Sequence, residues 1–129
     1  MKKEIVVDTS YLIMLLKEKK LDTLVRKYAP YMLDLTLYEY LRGIYYLGRN
    51  AKKAKEYLEK IFNIIHLNNE IILKACEIWN NLAKKGSLIS ELDIIIGAAC
   101  IVNEIPLVTL DRDFKRLKEY GLEIETPVI

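Results

Sequence analysis

Apolar residues along the chain switch between two periods. Ile5-Val6-Val7 is a short β-branched run closed by Asp8-Thr9-Ser10, and Tyr11, Leu12, Leu15 and Leu16 then recur at helical spacing, which predicts a buried strand feeding a helix. The succession repeats after Pro30, where Met32-Leu33-Asp34-Leu35 predicts a second strand leading to Thr36, and Leu37, Leu41, Ile44 and Tyr45 mark the face of a second helix. Gly48-Arg49-Asn50 stops that helix and opens another, with Ala54, Leu58 and Ile61 turned inward. Ile64-Ile65-His66-Leu67 predicts a third strand, and a long helix runs through Ile72, Ala75, Ile78, Trp79 and Leu82 to a stop at Gly86. Ser90 opens a further helix through Leu92, Ile95, Ile96, Ala99 and Cys100. A fourth strand over Pro106–Leu110 ends at Asp111, and Phe114, Leu117 and a last strand, Leu122-Glu123-Ile124, complete the chain.

Strands alternating with helices of this length imply an α/β fold with a mainly parallel sheet and right-handed crossovers. A chain of 129 residues suits a single domain over 1–129, with no repeat, linker or low-complexity tract. The composition is globular, at 52% hydrophobic and 29% charged with five Gly and three Pro. A net charge of +2 is too mild to argue for nucleic acid by bulk electrostatics, so any such case must be local. Cys76, Cys100 and His66 supply neither a disulfide framework nor a zinc site, and both thiols are expected to be buried. The start reads as no signal peptide and no run reaches membrane-spanning length, so a cytoplasmic protein without a membrane partner is expected. Abundant Lys, Glu, Ile and Tyr with no Gln is a thermophile's bias.

Four acids stand where strands end or helices begin. Asp8 and Asp111 follow strands directly, and Glu39 and Asp93 fall in first helical turns. In a parallel sheet the strand C-termini and the N-termini of returning helices share one edge, where open α/β folds place their ligands, so the four should converge. A structural account competes. Thr36-Leu37-Tyr38-Glu39 and Ser90-Glu91-Leu92-Asp93 match the capping-box pattern, and Asp8 and Asp111 suit plain N-caps. Clustered carboxylates, however, repel one another unless a cation neutralises them, and all-oxygen ligation favours Mg²⁺ or Mn²⁺.

Taken in order, Val7-Asp8-Thr9-Ser10, Leu37-Tyr38-Glu39-Tyr40-Leu41-Arg42-Gly43, Leu92-Asp93-Ile94-Ile95-Ile96-Gly97-Ala98-Ala99 and Leu107-Val108-Thr109-Leu110-Asp111-Arg112-Asp113-Phe114 resemble a PIN domain over nearly the whole chain. The likeness is greatest to the short VapC-type toxins of toxin–antitoxin pairs. It implies a three-layer α/β/α domain around a twisted sheet of four to five strands. It also implies a Mg²⁺- or Mn²⁺-dependent endoribonuclease hydrolysing RNA phosphodiesters, an antitoxin protein as partner, and a homodimer. Asp8, Glu39, Asp93 and Asp111 match the family's acidic quartet, Thr109 the hydroxyl before the fourth acid, and Thr9 or Ser10 the hydroxyl beside the first. Asp113 is a supporting acid, and whether Glu91 joins the pocket is left open.

An acidic pocket needs nearby cations to draw RNA, and Arg42, Arg112 and Lys115, with Lys17, Lys19, Lys20 and Arg116, are the candidates near the predicted edge. Two other functions compete with the toxin: a solitary nuclease of RNA processing, and a protein-binding module whose acids are only caps. Tyr38, Tyr40, Tyr45 and Tyr46 crowd one helix and are expected to pack within the domain, as is Trp79. His66 is expected to be a strand residue satisfied by a hydrogen bond. A haloacid-dehalogenase-like site fails because Ser10 stands where a second Asp is needed, and a receiver domain fails because His66-Leu67-Asn68-Asn69 lacks an acceptor Asp.

Overall fold

Successive side chains of a strand point to opposite faces, and in Ile5-Val6-Val7 all three are fully buried, so both faces of the first strand must be covered. The computed structural model, which describes residues 1–127 and 129, meets that demand with three layers. Its elements are β1 (Lys3–Val7), α1 (Thr9–Lys17), α2 (Leu21–Lys27), β2 (Tyr28–Leu33), α3 (Asp34–Tyr46), α4 (Ala51–Ile61), β3 (Asn63–Ile65), α5 (Asn69–Lys84), α6 (Glu91–Asn103), β4 (Leu107–Val108) and a 3₁₀ helix, Arg112–Tyr120. The strands run in the order β3-β2-β1-β4, and every pairing is parallel. Ile5 and Val7 pack with Leu12 and Leu15 of α1, Leu24 of α2 and Leu58 of α4. Val6 faces the other way, onto Ile78 and Leu82 of α5, Ile96 and Ala99 of α6, and Phe114 and Leu117 of the 3₁₀ helix.

Several boundaries differ from those the sequence predicts. The second strand begins at Tyr28 and runs through Pro30, which pairs in register with Ile5; it ends at Leu33, so α3 starts at Asp34, two residues earlier than expected. α2 has no counterpart among the predicted elements, because its seven residues bury only Leu21 and Leu24 and no side chain caps its start. The expected Leu122–Ile124 strand is reduced to a single parallel bridge between Ile124 and Leu107, and the fourth strand to Leu107–Val108, leaving Leu110 exposed.

Expected core residues also move outward. Tyr38, Tyr45, Tyr46 and Trp79 are exposed, and so is Cys76, while Cys100 is buried as expected. These residues lie on the outer sides of α3 and α5, where apolar side chains extend the helical stripe beyond what one sheet can cover. His66 follows β3, with Nδ1 3.4 Å from Asp34 Oδ2 and its ring largely in solvent. No helix of the described residues is long and apolar enough to cross a membrane.

Candidate active site

All four predicted acids belong to the C-terminal edge of the sheet. β1 ends at Val7 and β4 at Val108, so Asp8 and the Thr109–Asp111 turn leave neighbouring strands that pair Val7 with Val108. Glu39 lies in the second turn of α3, which starts directly after β2, and Asp93 in the first turn of α6, whose far end returns the chain to β4.

Asp8 is the anchor. It is one of two buried polar or charged residues on the described chain, at 4% exposure, the other being Thr36. Its Oδ1 accepts from the backbone N–H of Tyr11 at 2.9 Å, which makes it the N-cap of α1. The Ser10 hydroxyl donates to both carboxylate oxygens at 2.9 and 3.1 Å, and Thr109 Oγ1 donates to Oδ2 at 2.5 Å. Thr109 in turn accepts from the backbone N–H of Asp111 at 2.9 Å, so one hydroxyl ties the first acid to the fourth across the β1–β4 junction. Ser10, and not Thr9, is therefore the hydroxyl beside the first acid; Thr9 Oγ1 is buried without a partner. Asp111 caps the 3₁₀ helix by accepting from Asp113 N at 2.9 Å.

The capping account holds for part of the set. Ser90 accepts from Asp93 N at 3.1 Å and caps α6, whereas Thr36 caps nothing: α3 starts before it, and its buried Oγ1 has no partner. Glu39 thus owes its place to no capping box.

The acids share one electrostatic field. Burial first, and then the charges of Asp111, Asp8 and Glu39, lift the Asp93 carboxyl from its ordinary 3.8 to about 6 against the opposing hydrogen bond from Ser90. Burial likewise raises Asp8, helped by the charge of Asp111 and opposed by its three hydrogen-bond donors. Cys100 is pushed upward by complete burial and by Asp8, so its thiol stays protonated and offers no nucleophile. Glu91 is exposed and borders a hollow with Ala75, Trp79 and Ile94.

The expected ready-made metal cage is not formed. Among the described residues, no three His, Cys, Asp or Glu side chains stand close enough to hold an ion as placed. The donor set is nevertheless that of a hard cation, with four carboxylates and two hydroxyls, and like charges in a common field need a counter-charge to close upon. On that chemistry the residues fit a divalent ion.

The predicted cations divide. Lys17, Lys19 and Lys20 sit at the C-terminal end of α1, nine residues long and so about 13 Å from the end that Asp8 caps, which removes them from the acidic edge. Arg42 stacks on Tyr38, 5.5 Å from the ring centroid, and lines a hollow with Leu37, Leu41 and Ile64. Arg116 donates to the Ser87 and Leu88 carbonyls and lies 4.0 Å from Asp113. Arg112 and Lys115 are exposed on the 3₁₀ helix directly after Asp111.

Asp34 is the acid the motif reading passed over. It follows β2 as Asp8 follows β1, but its Oδ2 accepts from Leu67 N at 3.1 Å and so pins the β3–α5 turn.

Comparison with known proteins decides the family, since the model of the PIN domain matches residues 5–120. The chain belongs to the PIN domain family. Ribonuclease VapC1 of Methanocaldococcus jannaschii is 33% identical to this PIN domain, over 94% of this chain and 86% of its own. A VapC ribonuclease of Pyrococcus furiosus is 30% identical over 82% of this chain and 72% of its own. Among solved structures, VapBC-1 of nontypeable Haemophilus influenzae superimposes on this PIN domain with a TM-score of 0.77 at 22% identity, covering 95% of this chain and 96% of that one. The α/β architecture predicted from the sequence is thereby borne out, with four strands and one bridge.

Proposed function

We propose that this PIN domain is a metal-dependent endoribonuclease and the toxin of a VapBC-type pair. One observation carries the proposal: burial and the charges of Asp111, Asp8 and Glu39, which come from three other segments, together hold the Asp93 carboxyl at about 6. The names of the two VapC relatives, both ribonucleases, support the reaction class.

Asp8 and Asp93 would hold a Mg²⁺ or Mn²⁺ ion, with Glu39 and Asp111 completing the set or orienting water. A divalent ion at this edge supplies charge neutralisation on the phosphate and acidifies the attacking water. Ser10 and Thr109 fix the Asp8 carboxylate by donating to it, and these bonds favour its charged form against the burial that raises its proton affinity. Thr109 also holds the Asp111 backbone, so both acids are set by the same hydroxyl. Asp113, whose N–H satisfies Asp111, supports its orientation. No side-chain nucleophile is required.

The solved VapBC complexes among the structural neighbours support an antitoxin partner, and exposed apolar side chains on α3 and α5 support both that partner and a homodimer. Tyr45 at 73%, Tyr46 at 90% and Leu73 at 70% exposure are too open for an isolated core.

Asp8→Asn tests the reaction. The amide still accepts from Tyr11 N, and its N–H group can donate to Thr109, so folding is expected to persist with stability equal or higher by up to about 1 kcal/mol. Cleavage of single-stranded RNA in Mg²⁺ or Mn²⁺ is expected to fall by more than about a hundredfold. Undiminished cleavage by the folded variant would refute the assignment.

A further inference from the structure

The 3₁₀ helix Arg112–Tyr120 carries a charge pattern that the acidic pocket does not explain. In a 3₁₀ helix residues three apart eclipse one another, and each residue rises about 2.0 Å, so nine residues present three straight rows. Phe114, Leu117 and Tyr120 form the inner row, with the first two fully buried. Asp113, Arg116 and Glu119 form the second, and its charges are spent: Arg116 faces Asp113 and two backbone carbonyls, and Glu119 accepts from Lys85 at 2.5 Å. Arg112, Lys115 and Lys118 form the third. All three are exposed, and none has a hydrogen-bond or ion-pair partner among the described residues.

These unpaired cations therefore stand in line at intervals of about 6 Å, comparable to the separation of neighbouring phosphates along an extended strand. The row begins one residue after Asp111, whose charge is felt at Asp93 and Asp8, and runs away from the acids for about 12 Å. Lys115 and Lys118 also border an open hollow, shared with Arg116 and Glu119 of the second row and with Lys85, which runs along one side of the cationic row.

We propose that Arg112, Lys115 and Lys118 form a rail that binds successive phosphates of single-stranded RNA and delivers the strand to the acidic edge. The inference rests on the nuclease reading for its direction, since fixed positive charge beside four carboxylates offsets their repulsion of an approaching polyanion. An acidic protein segment would feel the same charges, but the row's start beside Asp111 is what a strand bound for hydrolysis requires.

The test measures binding apart from cleavage. In the Asp8→Asn background, with EDTA, the Kd of a labelled single-stranded RNA is followed against salt for the parent and for Arg112→Gln/Lys115→Gln/Lys118→Gln. Each lost phosphate contact lowers the log–log salt slope by about 0.7, so the triple variant is expected to lose about 2 from the slope. Its affinity then falls about twentyfold less than the parent's between about 50 and 200 mM salt. The milder Lys115→Gln/Lys118→Gln is expected to lose about 1.4. Lys52→Gln/Lys53→Gln on α4 is expected to keep the parent slope. In the active protein the triple variant raises KM more than it lowers kcat. An unchanged slope in the folded triple variant, or an equal loss in the α4 control, overturns the rail. So does a triple variant that keeps its RNA slope but loses affinity for a poly-glutamate peptide, because the row then serves an acidic protein segment. Rail-dependent RNA binding by a wild-type protein that cleaves nothing would instead leave the rail standing and remove the nuclease reading.

Discussion

At the scale of single residues, the four acids differ in how the fold treats their charge. Asp8 is buried yet surrounded by donors, while Asp93 keeps only the Ser90 hydrogen bond against burial and three neighbouring carboxylates. A folded-state value of about 6 against an ordinary 3.8 means that the folded protein binds the Asp93 proton more tightly than the unfolded chain does. Stability from this group is therefore fully present below about pH 4 and is lost as the pH rises through about 6. A shift of about two units is worth about 3 kcal/mol for a group held from water, and a half-exposed carboxyl realises only a fraction, on the order of 1 kcal/mol. Urea midpoints measured from pH 4 to 7 in EDTA are expected to decline in the wild type and to flatten over that window in Asp93→Asn. Identical pH profiles for the two proteins would show that Asp93 feels no such field.

At the scale of elements, placement of the fourth acid depends on how closely the 3₁₀ helix can approach α6. A Cβ at Gly97 would stand 2.3 Å from Leu117 Cδ1, and Leu117 is fully buried, so its end has little room to swing away. Gly97 lies one helical turn beyond Asp93, and Leu117 is on the element that Asp111 caps, so this contact fixes the two acids' supports against each other. Gly97→Ala is expected to cost about 1–3 kcal/mol and to weaken cleavage, and adding Leu117→Val, which removes the Cδ atoms, is expected to recover part of both. Additive losses in that double variant would locate the strain elsewhere. Gly97 was visible in the sequence only as part of an apolar run; its need for contact without a side chain arises from a segment twenty residues away. The strand-to-acid junctions were legible because buried parallel strands give unbroken apolar runs with an abrupt polar end, as at Val7-Asp8. α2 was not, since a short helix with two inward residues leaves no periodic signal. The cationic row was half legible: Arg112 and Lys115 stood out, and Lys118 needed the period of three that Phe114, Leu117 and Tyr120 impose. Exposure of Tyr45, Tyr46 and Trp79 was hidden because an apolar stripe says which side chains avoid water without saying what covers them.

At the scale of the whole molecule, the proposed metal site would make stability conditional on what the protein binds. Four segments that are distant in sequence contribute acids to that edge, so under the proposed assignment a cation held by Asp8, Asp93 and their neighbours would cross-link β1, α3, α6 and the turn after β4 in the folded state and find no such set in the unfolded chain. Binding to the folded state alone stabilises it by about 2.7 kcal/mol at a hundredfold excess over Kd, on the order of 10 °C in Tm for a chain of this size. The same ion must displace the Asp93 proton, so the gain is expected to be full near pH 7.5 and to shrink as the pH falls through about 6, opposite in slope to the metal-free protein. Thermal unfolding in MnCl₂ and in EDTA at several pH values reads both effects, and Asp8→Asn or Asp93→Asn is expected to remove the difference. If the acids served only as helix caps, wild-type protein would melt at one temperature with or without the ion, since Asp8, Asp111 and Ser90 already satisfy their backbone donors unaided.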